Sequence, residues 1–465
     1  MIGPPALATN DLRLPDLGSA SGVITPSQER ELGEAWLRLF RGHVPTSTDP
    51  FVSDYLEQML RSLSVHSELN HRQLELIVVQ NPALNAFAVP GGIIGVNTGL
   101  FLFAQNEQQL ASVLAHELAH LSQRHYARRL ESEKNAAIPN MAGLLAGMVL
   151  AATAGGEAGM AAITAMQAGN IDRQLRFSRQ MEQEADRIGM SLLVSADMDP
   201  YAMPEMFEVM LRTTRYSRRP PEFLMSHPVT ESRVSDARVR AERHPPRQFV
   251  SDLQFHLVRA RLILEHESNR QMAVRRFTDE LNGTAMPHDA ARYGLALALT
   301  KTHELEKARE TLEPLLKADP HSAAYIVAAA DIEAAAQNYK SALAILNKAL
   351  QRSRDSHPLN VRYAELLMSA GQYAEGEAVL QAHVKRRPND AYVWYLLAET
   401  HGLAGHIFDV HKARAEYFIL VGLFDKAEIQ LKNARALLEE KDVQGLARID
   451  ERLKDVNELR EDMPI

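Results

Sequence analysis

Leu305, Tyr339, Tyr373 and Ile407 stand 34 residues apart, and this step constrains the C-terminal half of the chain more than any other feature. Leu312, Leu346 and Leu380 keep the same step. Ala308 and Ala342 repeat with small Gly376, and Pro320, Pro358 and Pro388 punctuate successive units. A unit of this kind can hide its apolar face only against a neighbour, so at least three must stack. The segment "VGLFDKAEIQLKNARALL" adds another second-helix pattern. We count about four units between roughly residues 253 and 440, with degenerate ends.

A 34-residue helix-turn-helix period with small and aromatic residues at fixed places is the tetratricopeptide signature. It accounts for residues 247–465 but leaves the first half open. The whole chain has 465 residues, which suits two or three domains. Its 46% apolar and 24% charged content marks a globular class. A net charge of −8 gives no basic face, so nucleic acid is not an expected partner. There are no cysteines, hence no disulfide, thiolate metal site or cysteine nucleophile. The start, "MIGPPALATNDLRLPDLGSA", lacks a basic region followed by an apolar run, so it does not read as a signal peptide. We expect either a cytosolic protein or a mature exported one.

Residues 1–25 read as a flexible leader rich in Pro, Gly, Ala and Ser. Helical patterns follow from about Ser27 to Val65. The stretch "LELIVVQNPALNAFAVPGGIIGVNTGLF" then reads as a small meander of strands. Asn106 offers a cap for one long helix, "EQQLASVLAHELAHLSQRHYARRLESE". Residues 138–170 carry almost no charge and many Gly, Ala and Met. They are either a buried helical hairpin or a lid that meets membrane or substrate. The paired Pro245 and Pro246 close a first domain over residues 26–246. The expected fold class is therefore mostly α: an α+β domain with a small β-sheet, followed by an all-α tetratricopeptide solenoid.

The chemistry centres on "HELAH" at residues 116–120. His116 and His120 lie one helical turn apart and share a face. Two imidazoles so placed can hold one Zn²⁺ at ~2.0–2.1 Å each. Glu117 stands beside that metal and is placed to take a proton from an attacking water. A third ligand must come from elsewhere, because catalytic zinc keeps three protein ligands and one open position. The segment "EQEAD" supplies Glu182, Glu184 and Asp186. Glu182 and Asp186 share a helix face, so one could ligate while the other receives the free N–H of a ligating histidine. Gly189 on the same helix would allow close packing against the His116 helix. His125 lies nine residues beyond His116, which on one continuous helix is too far to join the metal. We expect it to be structural.

"HELAH" followed some 60 residues later by "EQEAD" resembles the gluzincin metallopeptidases related to the CAAX-prenyl endopeptidase and the heat-shock membrane protease. The resemblance implies that Glu182, not Glu184, is the third zinc ligand and that Asp186 orients a ligand. It also implies that "NAFAVPGG", with Asn85, Ala86 and Phe87, forms an edge strand beside the cleft. Such a strand can bind an extended substrate by main-chain pairing. The segment "RYSRRPPEFLMSHPVTESRVSDAR" with a repeat tail is similar to periplasmic members of this family from Gram-negative bacteria. That similarity implies that His227 caps the zinc and keeps the enzyme latent. It implies that Arg233 lies near the site, where it could stabilise an oxyanion. It further implies a periplasmic zinc endopeptidase that promotes assembly of outer-membrane β-barrel proteins and degrades stalled ones. Its partners would be unfolded or stalled barrels and the barrel assembly machinery, with peripheral membrane contact through 138–170. The competing expectation is an assembly chaperone or adaptor whose zinc site stays shut under His227.

Overall fold

The computed structural model describes residues 25–69, 71–132, 171–216, 221–249 and 252–461. The leader up to residue 24 and the apolar stretch 138–170 lie outside the described residues. Thr25, the last leader residue, belongs to the fold. It forms a capping box with Gln28 at the start of helix α1 (Pro26–His43). The apolar stripe of α1, with Leu32, Trp36 and Phe40, packs on the sheet residues Ile77, Val79, Val89 and Ile93. Helix α2 (Pro50–Val65) starts at Asp49, whose side chain accepts the Phe51 N–H.

The strands expected as a meander form instead a three-stranded sheet with a crossover, built from β1 (Glu75–Val79), β2 (Ala86–Val89) and β3 (Ile93–Asn97). The spatial order is β1-β3-β2, so β2 is an edge strand. It pairs antiparallel with β3, and β1 runs parallel to β3. Pro90, Gly91 and Gly92 make the β2–β3 turn. Both glycines have φ near +86°, a region that suits glycine.

A short helix α3 (Gly99–Phe103) leads to α4 (Glu107–Ser122), capped by the Asn106 side chain. Every residue from Gln108 to His120 is buried, so α4 is the central rod of the domain. The expected single helix through residue 133 is broken. It ends at Ser122, Arg124 adopts φ +49°, and α5 (His125–Ser132) sets off in a new direction. Helix α6 (Ile171–Ser195) runs against α4. A Cβ on Gly189 would sit 3.1 Å from Ala115 O and His116 N, so this glycine lets the two backbones approach. Helices α7 (Ala202–Tyr216), α8 (Glu222–Ser226) and α9 (Glu231–Ala241) complete the first domain.

From Leu253 to Glu461 the described chain is a row of helical hairpins. There are six pairs, where the sequence period suggested about four units. The first and last pairs lack the recurring residues that carry the period. Leu305, Tyr339, Tyr373 and Ile407 each open the second helix of a pair. Three residues on, Ala308 and Ala342 are wholly buried, where a larger side chain would push neighbouring helices apart.

The solenoid does not trail free. Phe255, Val258 and Leu262 of its first helix (Leu253–His266) enter the core of the first domain, while Leu257, Ala260 and Ile263 enter the repeat core. Residues 242–249 form no helix, as a linker at Pro245–Pro246 requires, but the packing does not divide there. Further along, Arg387 pairs with Glu57 on α2. The turn at Gly422 lies against Arg38 on α1.

Candidate metal centre

The buried rod α4 points two imidazoles toward α6. His116 and His120 face each other with their Nε2 atoms 3.0 Å apart. Glu182 on α6 meets both: Oε2 lies 3.4 Å from His116 Nε2 and Oε1 lies 3.4 Å from His120 Nε2. His227 closes the ring from the C-cap of α8, with Nδ1 2.9 Å from Glu182 Oε1. One ligand atom from each of His116, His120, Glu182 and His227 falls within a 4.8 Å span.

Three of the four ligand candidates, His116, His120 and Glu182, are held from behind. Asp186 Oδ1 lies 3.0 Å from His116 Nδ1, the nitrogen that faces away from the cluster. Arg233 grips Asp186 with two hydrogen bonds of 2.7 Å, from Nε and Nη2. Its Nη1 donates to Pro228 O at 2.8 Å and lies 3.0 Å from Glu182 Oε2. The guanidinium also stacks 4.9 Å over the Phe207 ring. Arg233 is only 4% exposed and its donors are engaged, so it ties α6 to the His227 segment. Arg233 thus lies beside the site, with its donors turned to Asp186, Glu182 and Pro228 in a positioning geometry.

His125 is not among the four ligand candidates, but sequence reasoning missed what it touches. Because α4 breaks at Arg124, His125 folds back and its Nδ1 comes 2.9 Å from His120 Nδ1. Its Nε2 lies 3.3 Å from Glu184 Oε2, which Arg128 also holds at 2.8 Å. Distance along a continuous helix had placed His125 out of reach. The positive φ at Arg124 removes that premise, and no pattern in the sequence announces it.

Glu117 is wholly buried, and neither of its carboxylate oxygens has a hydrogen-bond partner. Burial pushes its carboxyl up, against the pull of His227 and His116. The Ala88 backbone on β2 approaches it without closing a good hydrogen bond. His227 Nε2 lies 3.6 Å from Glu117 Oε1. Burial drives His120 down to about 3, which leaves its imidazole a free base. Burial also opposes a charged His116, but Asp186 and Glu182 outweigh it and lift this ring to about 10. For Glu182 burial is again the largest influence, and His227, His116 and His120 overcome it to hold the carboxyl well below its usual range.

Of the expected edge-strand residues, Ala86 and Phe87 lie on β2, and Asn85 just precedes it, accepting the Asn97 N–H at 3.0 Å. The Phe87 side chain turns away from α4. It packs edge-on to Trp36 at 5.8 Å and fills the space above Gly95.

The pattern of peptidase family M48 matches residues 50–241, and a tetratricopeptide repeat pattern matches residues 333–400. The chain is 35% identical over 459 residues to the beta-barrel assembly-enhancing protease of Escherichia coli (strain K12). That match covers 98% of this chain and 94% of the relative. The chain belongs to peptidase family M48. It is also 34% identical over 463 residues to the putative beta-barrel assembly-enhancing protease of Vibrio cholerae, covering 98% of this chain and 95% of that one. The mitochondrial metalloendopeptidase OMA1 of Schizosaccharomyces pombe is 31% identical over 188 residues, 39% of this chain and 50% of the relative. This M48 chain is a metalloprotease, and the family implies a metal. The site fits one: a buried carboxylate and three imidazoles converge on one point, and the adjacent Glu117 oxygens are unsatisfied. Among the described residues, no helix is long and apolar enough to cross a membrane.

Proposed function

We propose that this M48 protease is a zinc endopeptidase of the Gram-negative periplasm that is held latent by His227. Its clients would be outer-membrane β-barrel proteins, whose assembly it promotes and whose stalled forms it removes. The convergence of His116, His120, Glu182 and His227 within 4.8 Å carries this reading. Imidazole and carboxylate donors in this number suit zinc. Zinc, when bound, polarises a water and the scissile carbonyl.

The rest is the work of the chain. Glu117 takes a proton from the attacking water and delivers it to the leaving amine. Its raised carboxyl suits both directions of transfer. Asp186 fixes the ring of His116, and Arg233 fixes Asp186. Among the described residues β2 is an edge strand, and its outer edge would offer main-chain groups to an extended substrate beside Glu117. The barrel clients are proposed from the names of the relatives and the repeat domain, whose stacked hairpins provide an extended surface for protein partners.

His227 stands where substrate and water must enter, so cleavage requires it to move. The same position supports a second reading, an assembly adaptor whose site stays shut. Cleavage of an unfolded outer-membrane barrel protein separates the two. The protease reading expects Glu117→Gln to lower the rate by roughly 10²–10⁴-fold. It expects His227→Ala to raise the rate or loosen its control. If wild type and His227→Ala are both inert with metal bound, the adaptor reading stands instead.

A further inference from the structure

The solenoid gathers a second set of metal-ligating side chains far from the peptidase centre in sequence. Glu377 lies on helix Tyr373–Arg386, His401 in the last turn of helix Ala391–Ala404, and His406 at the N-cap of helix Ile407–Leu420. The Nδ1 atoms of His401 and His406 each lie 2.6 Å from Oε1 of Glu377. Gly405, at φ +81°, makes the tight turn that brings the two histidines to one carboxylate. Glu377 and His401 are 8% and 3% exposed, whereas His406 is open to solvent.

We propose that Glu377, His401 and His406 form a second metal site, for a divalent transition ion of the zinc class. Their ligand atoms lie within 4.8 Å of one another. Two imidazoles and one carboxylate are donors that zinc takes, whereas calcium and magnesium prefer oxygen alone. Burial of a carboxylate is costly unless its charge is compensated. Among the described residues, Glu377 forms ion pairs with these two histidines and with no lysine or arginine. A bound cation supplies the missing compensation.

The site also has a way in. A shallow, open depression lined by Gly371, Gln372, Tyr373, Glu375, Ala404 and His406 lies beside the exposed ligand. Metal bonds of ~2.0–2.2 Å set neighbouring donors about 3.3 Å apart, so both 2.6 Å contacts to Glu377 Oε1 must lengthen by less than about 1 Å. His406 can draw back because it faces solvent, and a small turn of the Glu377 carboxyl opens the contact to His401. The ion would pin three consecutive helices. The third of these, Ile407–Leu420, ends at the turn that touches α1. The metal would therefore set the curvature of the solenoid next to its contact with the peptidase domain.

A simple hydrogen-bonded trio is the competing account, and Glu377→Gln separates the two. The glutamine can still accept from both imidazoles but brings no charge. The test uses full-length chain carrying His116→Ala and His120→Ala, which disables the peptidase site. Titrated metal-free with Co²⁺, this protein should bind one ion and show the visible absorption of a low-coordinate Co²⁺–imidazole site. Adding His406→Ala or Glu377→Gln should weaken that binding by more than about tenfold. Melting of these variants without metal should match the parent, which shows that the fold survives. Absence of bound Co²⁺ in the parent overturns the proposal. So does binding that ignores both substitutions. Neither result bears on the peptidase site, which the parent lacks.

Discussion

His125 Nδ1 lies 2.9 Å from His120 Nδ1, and the other ring nitrogen of His125 reaches Glu184. A ligand whose back nitrogen is held in this way keeps its ring aimed at the metal. His125→Ala should therefore lower metal affinity by roughly 10–100-fold in a chelator competition assay. Glu184→Gln acts one step further out and should cost less. An unchanged affinity in His125→Ala would show that packing alone orients His120.

Arg233 compensates Asp186 and Glu182 inside the core. Removing it leaves two buried carboxylates short of a partner. Arg233→Ala should destabilise the metal-free protein by about 3–5 kcal/mol, read from urea unfolding. Arg233→Lys should recover little, because an ammonium cannot make the paired contact with Asp186. A full rescue by lysine would mean that charge matters and the forked geometry does not.

Arg387 reaches across 330 residues to Glu57, with nitrogen–oxygen distances of 2.5 and 3.1 Å. At the next contact along the solenoid, a Cβ on Gly422 would lie 2.4 Å from Arg38 O, and its φ is +68°. Gly422→Ala should force this contact open and strain the turn. We expect an increased radius of gyration in small-angle scattering and faster proteolysis at the seam. Arg387→Ala should do less, since α2 still meets the solenoid through the Arg261–Asp49 pair at 2.6 Å.

His357 and His383 stack with centroids 5.2 Å apart and join Nδ1 to Nε2 at 2.9 Å. Burial holds His357 down to about 3 and His383 down to about 4, with Arg387 and Arg386 adding to the effect and Asp390 opposing it at His383. In the unfolded chain both rings take up protons near pH 6.5. Between that value and about 4 the unfolded state binds more protons, so stability falls as pH falls through this window. Urea midpoints at pH 7 and pH 5 should show the loss, and His357→Asn should shrink it. An identical pH slope in the variant would remove these histidines from the account.

The period of 34 and the pair of motifs were legible because each reflects a strict local rule. A repeat helix needs a small residue at each close crossing, and Ala308, Ala342 and Gly376 obey it. His116 and His120 must lie one turn apart to share a metal ion. The close approach at Gly189 follows from similarly local chemistry, whereas the edge position of β2 was implied by the family resemblance. What escaped was non-local. The break at Arg124 turns His125 toward His120, and nothing in "SQRHYAR" carries that signal. The partners of Arg233 were not legible because they come from α6 and from Pro228 O. The end pairs of the solenoid were undercounted because their outer faces meet the first domain or solvent, so they need not repeat the consensus.

The first solenoid helix, Leu253–His266, presents one face to each core. A gene cut at Pro246 would thus leave the catalytic part with a hydrophobic scar where Phe255 stacks on Phe101 at 5.7 Å. It would leave the tail with an uncapped end. Chimeras between relatives should carry this helix together with its own catalytic half. In modular terms, the hinge between enzyme and scaffold is a shared beam, and neither part was built to stand without it.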